Sequence, residues 1–133
     1  MQADYDGSAE DGIVDILLVE DEAILAMVAS EVLGDAGHRV RDCGSAEEAL
    51  AAIDAGYRPD VVIIDHGLPG MSGAELAGVI SGRLASAAIL IASGNAESVS
   101  FGFPVLTKPY RDAELVECVA TLLSQSPPTR GIG

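Results

Sequence analysis

The sequence predicts an α/β fold whose parallel sheet is covered by helices on both faces. Four short, largely apolar runs and one short polar stretch alternate with segments in which apolar residues recur at helical spacing. Most of these runs lack polar alternation, which is typical of strands buried on both sides. This order predicts a doubly wound, flavodoxin-like sheet with the strand order 2-1-3-4-5. The predicted strands are residues 16–19, 38–43, 61–64, 88–92 and 104–107.

Helices are predicted after each of the first three strands and after the last strand. The first helix ends near Gly34, and the second opens at Ser45, which with Glu48 resembles a capping box. The third helix begins near Gly73, and Asp112 can open the last one. Apolar residues at helical spacing predict their inward faces, namely Leu76, Val79, Ile80 and Leu84 on the third helix and Leu115, Val119, Leu122 and Leu123 on the last.

The length of 133 residues is that of one domain. Residues 1–12 are acidic without apolar periodicity and predict a flexible leader, and residues 125–133 contain two prolines and predict a flexible tail. The domain is therefore expected at residues 13–124. No apolar stretch approaches the roughly 20 residues of a membrane span, and no signal peptide is visible, so a cytoplasmic protein without membrane association is expected.

Charge and cysteine content exclude several function classes. The net charge is −14, from 21 acidic against 7 basic residues, and it opposes direct binding to nucleic acid. Cys43 and Cys118 are too few for a disulfide framework or a zinc site, so we expect reduced thiols packed as small apolar residues.

Polar residues follow the predicted strands where those strands end. Glu20 and Asp21 follow the first strand, Asp65 the third, Ser93 the fourth and Lys108 the fifth. The carboxyl ends of neighbouring parallel strands meet at the edge where open α/β sheets bind ligands. Three carboxylates, a hydroxyl and an ammonium are therefore predicted in one pocket.

This set of groups favours phosphoryl chemistry. Crowded carboxylates repel one another unless a cation is present, and Mg²⁺ prefers oxygen ligands and phosphate. Asp65 could attack phosphorus and form an acyl phosphate, while Lys108 and Ser93 could contact the phosphoryl oxygens. Taken singly, Asp65 fits a helix cap, Lys108 a surface lysine and Ser93 a turn. A cis Lys108–Pro109 bond would fix a turn that directs the lysine into the pocket.

The chain resembles the receiver domains of two-component response regulators. The resemblance lies in four segments whose order and spacing span nearly the whole chain outside the predicted leader and tail. These segments are Val-Glu-Asp-Glu at 19–22, Ile-Asp at 64–65 with Leu-Pro-Gly-Met-Ser-Gly at 68–73, Ala-Ser-Gly at 92–94, and Lys-Pro-Tyr at 108–110.

The resemblance implies that Asp65 accepts a phosphoryl group from a phosphohistidine on a sensor histidine kinase or a phosphotransfer protein. It also implies that Ser93 and Lys108 bind the phosphate, and that an unidentified downstream protein reads the state. The implied Mg²⁺ ligands are Asp21, Asp65 and the backbone carbonyl of Gly67, with Glu20 acting largely through water.

The chain departs from the receiver pattern in two places. Val105 occupies the position at which receivers usually carry an aromatic switch residue. The stretch from Ser93 to Lys108 is shorter than usual by about two helical turns, so the helix between the fourth and fifth strands is expected to be very short or absent. Residues 95–103 are predicted to form a mobile loop, and output is expected to use a remodelled surface.

Ala-Ser-Gly at 92–94 and Pro-Val-Leu-Thr-Lys-Pro-Tyr at 104–110 resemble an atypical subgroup of alphaproteobacterial receivers called FATGUY, although the short loop and Asn95 depart even from that subgroup. In that subgroup the aromatic switch is also absent, and single-domain members work with kinases of the HWE or related type. Two further features stay open at this level. His66 is expected to be a solvent-facing loop residue rather than a catalytic one, and Phe101 and Phe103 either cover the space left by the helix or form a partner patch.

Three functions are compatible with these residues. The leading interpretation is a stand-alone receiver that is a phosphoacceptor and not a metabolic enzyme. The second is a receiver-like interaction module whose output ignores phosphorylation, motivated by Val105. The third is a small Mg²⁺-dependent phosphohydrolase, which is disfavoured because the next carboxylate after Asp65 that could act as a general acid is Glu75.

Overall fold

A five-stranded parallel sheet forms the centre of the fold. The structure is a computed structural model that describes residues 14–94 and 102–125. The strands are β1 (Asp15–Val19), β2 (Arg39–Cys43), β3 (Val61–Asp65), β4 (Ala88–Ser93) and β5 (Val105–Thr107). Their order in the sheet is β2-β1-β3-β4-β5, which confirms the predicted topology.

The register of the sheet brings the carboxyl ends of the strands to one edge. Val19 at the end of β1 pairs with Ile64 of β3, and Asp65 pairs with Ala92 of β4. Ser93 in turn pairs with Thr107 of β5. The residues that follow these positions therefore lie side by side, as predicted for the pocket.

Four helices flank the sheet in the described part of the chain. They are α1 (Ala23–Asp35), α2 (Ala46–Asp54), α3 (Gly73–Arg83) and α4 (Asp112–Gln125). Residues of α1 and α4 pack together on one face of the sheet, and residues of α2 and α3 pack on the other. None of the helices formed by the described residues has the length and apolar composition needed to cross a membrane.

The connection between β4 and β5 is only partly described. Residue 94 and residues 102–104 contain no helix, while residues 95–101 lie outside the described residues, as do residues 1–12 of the predicted leader. At the other end, α4 extends through Gln125, one residue beyond the predicted domain boundary, and the rest of the predicted tail lies outside the description.

Side-chain caps fix where α2 and α3 begin. The Ser45 hydroxyl accepts a hydrogen bond from the backbone N–H of Glu48 at 3.1 Å, which confirms the predicted cap. A complete capping box, absent from the sequence predictions, opens α3: Ser72 Oγ accepts from Glu75 N at 3.1 Å, and Glu75 Oε1 accepts from Ser72 N at 3.0 Å. The Ser-x-x-Glu spacing before an apolar run is the sequence pattern from which this capping box could have been predicted.

Candidate functional site

Three of the predicted site residues meet through one ammonium group. Lys108 Nζ donates to Asp65 Oδ1 at 3.0 Å and to Glu20 Oε1 at 3.3 Å. The side chains of Glu20 and Asp65 are 7% and 12% exposed, whereas that of Lys108 is 24% exposed. The lysine therefore offsets one of the two negative charges on these largely buried carboxylates and reaches solvent itself.

Asp21 completes a carboxylate cluster suited to a divalent cation. One oxygen from each of Glu20, Asp21 and Asp65 lies within 4.8 Å of the other two. Oxygens on opposite sides of a Mg²⁺ ion lie about 4 Å apart, because each sits at about 2.1 Å from it. A small side-chain movement, or a water between Glu20 and the ion, satisfies that geometry, so the residues present fit Mg²⁺.

Gly67 lies beside the Asp65 carboxylate, and the binding of Mg²⁺ by its backbone carbonyl stays a prediction. Its backbone N–H donates to Asp65 Oδ1 at 3.3 Å. A Cβ built at Gly67 would lie 3.9 Å from both oxygens of Asp65. The backbone of Gly67 thus passes directly beside the Asp65 carboxylate.

The surroundings of Glu20 disfavour the charged form of its carboxylate. Burial raises the pKa of Glu20 above its ordinary value, and the charge of Asp65 adds to this. The backbone N–H of Glu22 and the ammonium of Lys108 act in the opposite direction without cancelling the rise. A divalent cation would relieve this repulsion between carboxylates.

Lys108 is held in its charged form. Burial by itself lowers the pKa of Lys108, but the hydrogen bond and charge of Asp65, together with Glu20, outweigh burial and raise the pKa overall. The ammonium is therefore available to bind phosphoryl oxygens at any physiological pH.

Ser93 and Lys108 are joined through the backbone. Ser93, the last residue of β4, is 4% exposed, and its carbonyl accepts a hydrogen bond from Lys108 N at 2.8 Å. The Lys108–Pro109 bond is cis, as the sequence permitted. Val105 is half-buried and packs against the core on the α2 and α3 side, as does Phe103, whereas Phe101 lies outside the described residues.

Gly73 holds the loop after Asp65 close to the sheet. A Cβ at this position would lie 2.6 Å from His66 Cα and 2.8 Å from the Asp65 carbonyl oxygen. Real Cβ atoms do not approach backbone atoms this closely, so only glycine fits. The loop is further tied by a hydrogen bond from Gly73 N to His66 O at 3.2 Å.

His66 is less exposed than expected. Its backbone N–H donates to Ala92 O at 2.9 Å, which continues the sheet one residue past Asp65. The side chain is half-buried, and Nδ1 is buried without a hydrogen-bond partner among the described residues. His66 thus lies in the turn after β3, as expected of a loop residue, but it is only partly exposed because its backbone still pairs with the sheet edge.

A groove beside the pocket was not anticipated. It has a volume of about 440 Å³ and lies between α1 and the start of α4. Lys108 and Pro109 lie at its boundary with the pocket, and Tyr110 forms part of its wall. The unusually apolar sequence of α1 was the signal for this groove. That pattern does not say which residues of α1 stay exposed.

The parallel sheet with an acidic cluster and a lysine at its carboxyl edge is the arrangement expected of a receiver domain, and comparison with known proteins agrees. The model of the response regulator receiver domain matches residues 16–120. The chain belongs to this family.

Curated relatives are response regulators. The chain is 37% identical over 118 residues to the two-component response regulator PhoP of Pseudomonas aeruginosa, covering 84% of this chain and 52% of that protein. It is 28% identical over 117 residues to the transcriptional regulatory protein PdtaR of Mycobacterium tuberculosis, covering 83% and 57%. The chain thus spans about half the length of these relatives.

Solved structures show the same fold. The chemotaxis response regulator CheY4 of Vibrio cholerae aligns with a TM-score of 0.75 at 26% identity, covering 84% of this chain and 99% of that one. NtrX of Brucella abortus aligns with a TM-score of 0.80 at 27% identity, covering 90% and 29%. The FATGUY subgroup stays a prediction.

Proposed function

We propose that the chain is a phosphoacceptor that takes a phosphoryl group on Asp65 from a phosphohistidine of a sensor histidine kinase or phosphotransfer protein. The observation that carries this proposal is the Lys108 ammonium, which contacts Asp65 at 3.0 Å at the edge of a three-carboxylate cluster. A protonated carboxyl group, or a carboxylate far from other charges, would not need an ammonium partner. The proposed setting is a cytoplasmic two-component pathway.

In the proposed transfer, a carboxylate oxygen of Asp65 attacks the phosphorus of the phosphohistidine. The new P–O bond forms as the P–N bond breaks, and the imidazole nitrogen keeps the electron pair of the broken bond. Lys108 stabilises the charge on the phosphoryl oxygens, and Ser93 at the end of β4 supplies a hydroxyl donor.

Mg²⁺ is the proposed cofactor. Glu20, Asp21 and Asp65 would hold it, together with the carbonyl of Gly67. When bound, the ion supplies positive charge that offsets both the carboxylates and the phosphoryl oxygens. Glu20 has the most to gain from it, since burial and Asp65 both raise its pKa.

Acetyl phosphate, a small phosphodonor, tests the proposal without a known kinase. Incubation with Mg²⁺ should add the mass of one phosphoryl group to the wild type and to Asp42→Asn, an exposed carboxylate on β2. Asp65→Asn should gain nothing, and chelation of Mg²⁺ should abolish the gain. A mass gain that survives Asp65→Asn would reject Asp65 as the acceptor.

The choice of kinase is tested by a panel of phosphorylated kinases. A cognate donor should transfer its label within seconds to the wild type and not to Asp65→Asn, and kinases of the HWE type are the first to include. Slow, equal transfer from every kinase in the panel would argue that none of them is the donor.

A phosphorylation-independent interaction module is the second candidate. It is favoured by the half-buried Val105 at the usual aromatic switch position and by the exposed apolar residues of α1. Equal partner affinity for the phosphorylated and unphosphorylated chain would support it.

We do not favour a metabolic phosphohydrolase. No second Asp follows Asp65 at short sequence spacing to protonate a leaving group, the neighbouring Asp21 is a proposed Mg²⁺ ligand, and Glu75 is committed to the Ser72 capping box. Release of phosphate from a generic ester over many turnovers, lost in Asp65→Asn, would reverse this judgement.

A further inference from the structure

The imidazole of His66 contains a buried polar atom that lacks a hydrogen bond. His66 is half-buried, and its Nδ1 has no hydrogen-bond partner among the described residues. A buried polar atom of this kind is costly, and native proteins rarely leave one unpaired. A conformation in which Nδ1 gains a partner is therefore stabilised relative to the one described.

The backbone of His66 is held from two sides. Its N–H donates to Ala92 O at 2.9 Å, and its carbonyl accepts from Gly73 N at 3.2 Å. A Cβ built at Gly73 would lie only 2.6 Å from His66 Cα, so α3 begins directly against this residue. Because the backbone is fixed in this way, a partner for Nδ1 has to come from a neighbouring side chain.

The register of the sheet supplies that neighbour. The ladder between β3 and β4 ends with Asp65 paired to Ala92, and one residue further His66 stands beside Ser93. Side chains alternate along a strand, so both residues belong to the α2 and α3 face, as Ile64 does two residues before His66. Ser93 is 4% exposed, so a polar side chain on the same face is buried beside the imidazole.

A serine hydroxyl can bind two partners at once, because it has one O–H donor and two acceptor lone pairs. In the proposed phosphorylated state, Ser93 uses its O–H to donate to a phosphoryl oxygen on Asp65. Its Oγ can then accept the Nδ1–H of a neutral His66 imidazole. Each of these two hydrogen bonds polarises the hydroxyl and so strengthens the other.

Val105 cannot do the same for Ser93. Val105 pairs with Ile91, two residues before Ser93, and packs on the same face of the sheet. Its side chain offers neither a donor nor an acceptor. Because β4 lies between β3 and β5, His66 flanks Ser93 from the opposite side and brings the polar atom that Val105 lacks.

We propose that His66 is a positioning residue for the phosphorylated state, in which its Nδ1–H donates to Ser93 Oγ and holds the hydroxyl toward the phosphoryl group on Asp65. This inference rests on the proposed phosphorylation of Asp65. The hydrogen bond pairs the nitrogen that is unpaired in the described structure. It also gives a side chain after β3 the task of fixing Ser93, for which Val105 on β5 is unsuited.

Beryllofluoride, an analogue of the acyl phosphate, measures how well the pocket holds the phosphorylated state. Its affinity for the full chain is obtained by titration in Mg²⁺, followed by amide NMR. The side-chain nitrogen of asparagine is as many bonds from the backbone as Nδ1, whereas that of glutamine is one bond further away. His66→Asn should therefore keep the wild-type affinity, while His66→Gln and His66→Leu should lose about fivefold, the effect of one ordinary hydrogen bond.

Stability separates positioning from mere support of the fold. His66→Leu removes the unpaired nitrogen, so without beryllofluoride its free energy of unfolding should equal or exceed that of the wild type. A residue that only supports the fold would lose stability and affinity together, and His66→Asn would then not restore affinity. Either result would overturn the proposal.

A double-mutant cycle tests whether His66 acts through Ser93. In a Ser93→Ala background the acceptor of the proposed hydrogen bond is gone, so adding His66→Leu should cause no further loss of beryllofluoride affinity. Losses that simply add would show that His66 does not act through Ser93, which contradicts the proposal.

The two histidines of the chain report the hydrogen bond directly. In ¹⁵N NMR of the imidazoles above neutral pH, the signals that His66→Asn removes should show a proton on Nδ1 once beryllofluoride is bound. His38, whose Nδ1 accepts from Val14 N at 3.4 Å, should not respond. A His66 proton on Nε2, or an unchanged signal, would overturn the proposal.

Failure of this inference can be told apart from failure of the proposed function. If acetyl phosphate phosphorylates Asp65 but the His66 variants bind beryllofluoride like the wild type, this inference fails alone. If Asp65 is not phosphorylated, the proposed function fails with it.

Discussion

Helices α1 and α3 cover opposite faces of the same sheet in opposite ways. Helix α3 buries its large aliphatic residues, Leu76 and Ile80, and turns glycines and charges to solvent. Helix α1 buries Ala26, Ala29 and Leu33 but exposes Met27 and Val28. The difference separates a helix whose large apolar side chains stabilise the fold from one that leaves several of them exposed.

The two helices also begin differently. Helix α3 opens with the full capping box of Ser72 and Glu75, directly after the loop that Gly73 holds against Asp65. At α1, Glu22 has no side-chain cap and instead donates its backbone N–H to Glu20, a pocket carboxylate. The start of α1 is therefore hydrogen-bonded to a carboxylate of the pocket, whereas the cap that opens α3 uses only Ser72 and Glu75.

Truncating one large side chain on each helix tests whether α3 contributes more to the core than α1. Leu76→Ala should lower the free energy of unfolding by about 3 kcal/mol, because it empties a fully buried site. Met27→Ala should change it by less than about 0.5 kcal/mol. Chemical denaturation measures both, and similar losses would show that α1 carries as much of the core as α3.

Two glycine-to-alanine substitutions on α3 should change the free energy of unfolding in opposite directions. Gly73→Ala should destabilise by about 2 kcal/mol, since its Cβ would meet the backbone of Asp65 and His66. Gly78→Ala, which has open space and an ordinary helical position, should stabilise by roughly 0.5–1 kcal/mol. Thermal unfolding of the pair is the measurement, and a harmless Gly73→Ala would refute the close approach.

A buried hydroxyl on α1 offers a stabilising change. Ser30 Oγ is buried without a hydrogen-bond partner among the described residues. Ser30→Ala should therefore raise the free energy of unfolding by about 1 kcal/mol, because it removes an unsatisfied polar atom and improves helix propensity. A loss of stability in denaturant titration would mean that the hydroxyl has a partner in solution.

The smallest expected effect concerns pH at the start of α1. Because the folded-state pKa of Glu20 is raised, its contribution to stability is full below its ordinary pKa and is lost as pH rises through the folded value. Glu20→Gln should therefore exceed the wild type in Tm by more at pH 7 than at pH 4. A difference in Tm between Glu20→Gln and the wild type that is the same at pH 7 and at pH 4 would contradict this expectation.

The sheet and the pocket could be predicted because their signals are local. Unbroken apolar runs gave β1, β3 and β4, and the polar residues after them had to meet at one edge once the strands were parallel. The inward faces of α3 and α4 were predicted for the most part. Six of the eight residues are buried, namely Leu76, Ile80, Leu84, Leu115, Val119 and Leu122, whereas Val79 and Leu123 are only half-buried.

The orientation of α1 could not be predicted in the same way. Its apolar residues occupy more than one face, so periodicity does not decide which of them point inward. The close packing of α1 on the sheet selects the small residues Ala26 and Ala29 instead of Val28. The half-burial of His66 likewise depends on a backbone pairing with Ala92 that no single residue signals.

Chemical trapping of the modified residue tests the central claim most directly. After treatment with acetyl phosphate and Mg²⁺, borohydride reduces an aspartyl phosphate to homoserine, which peptide mass spectrometry locates. The account predicts homoserine at position 65, none at position 21, and no 5-hydroxynorvaline, the product that a glutamyl phosphate would give, at position 20. Homoserine at another aspartate, or a phosphate that resists hydroxylamine as a serine ester would, contradicts it.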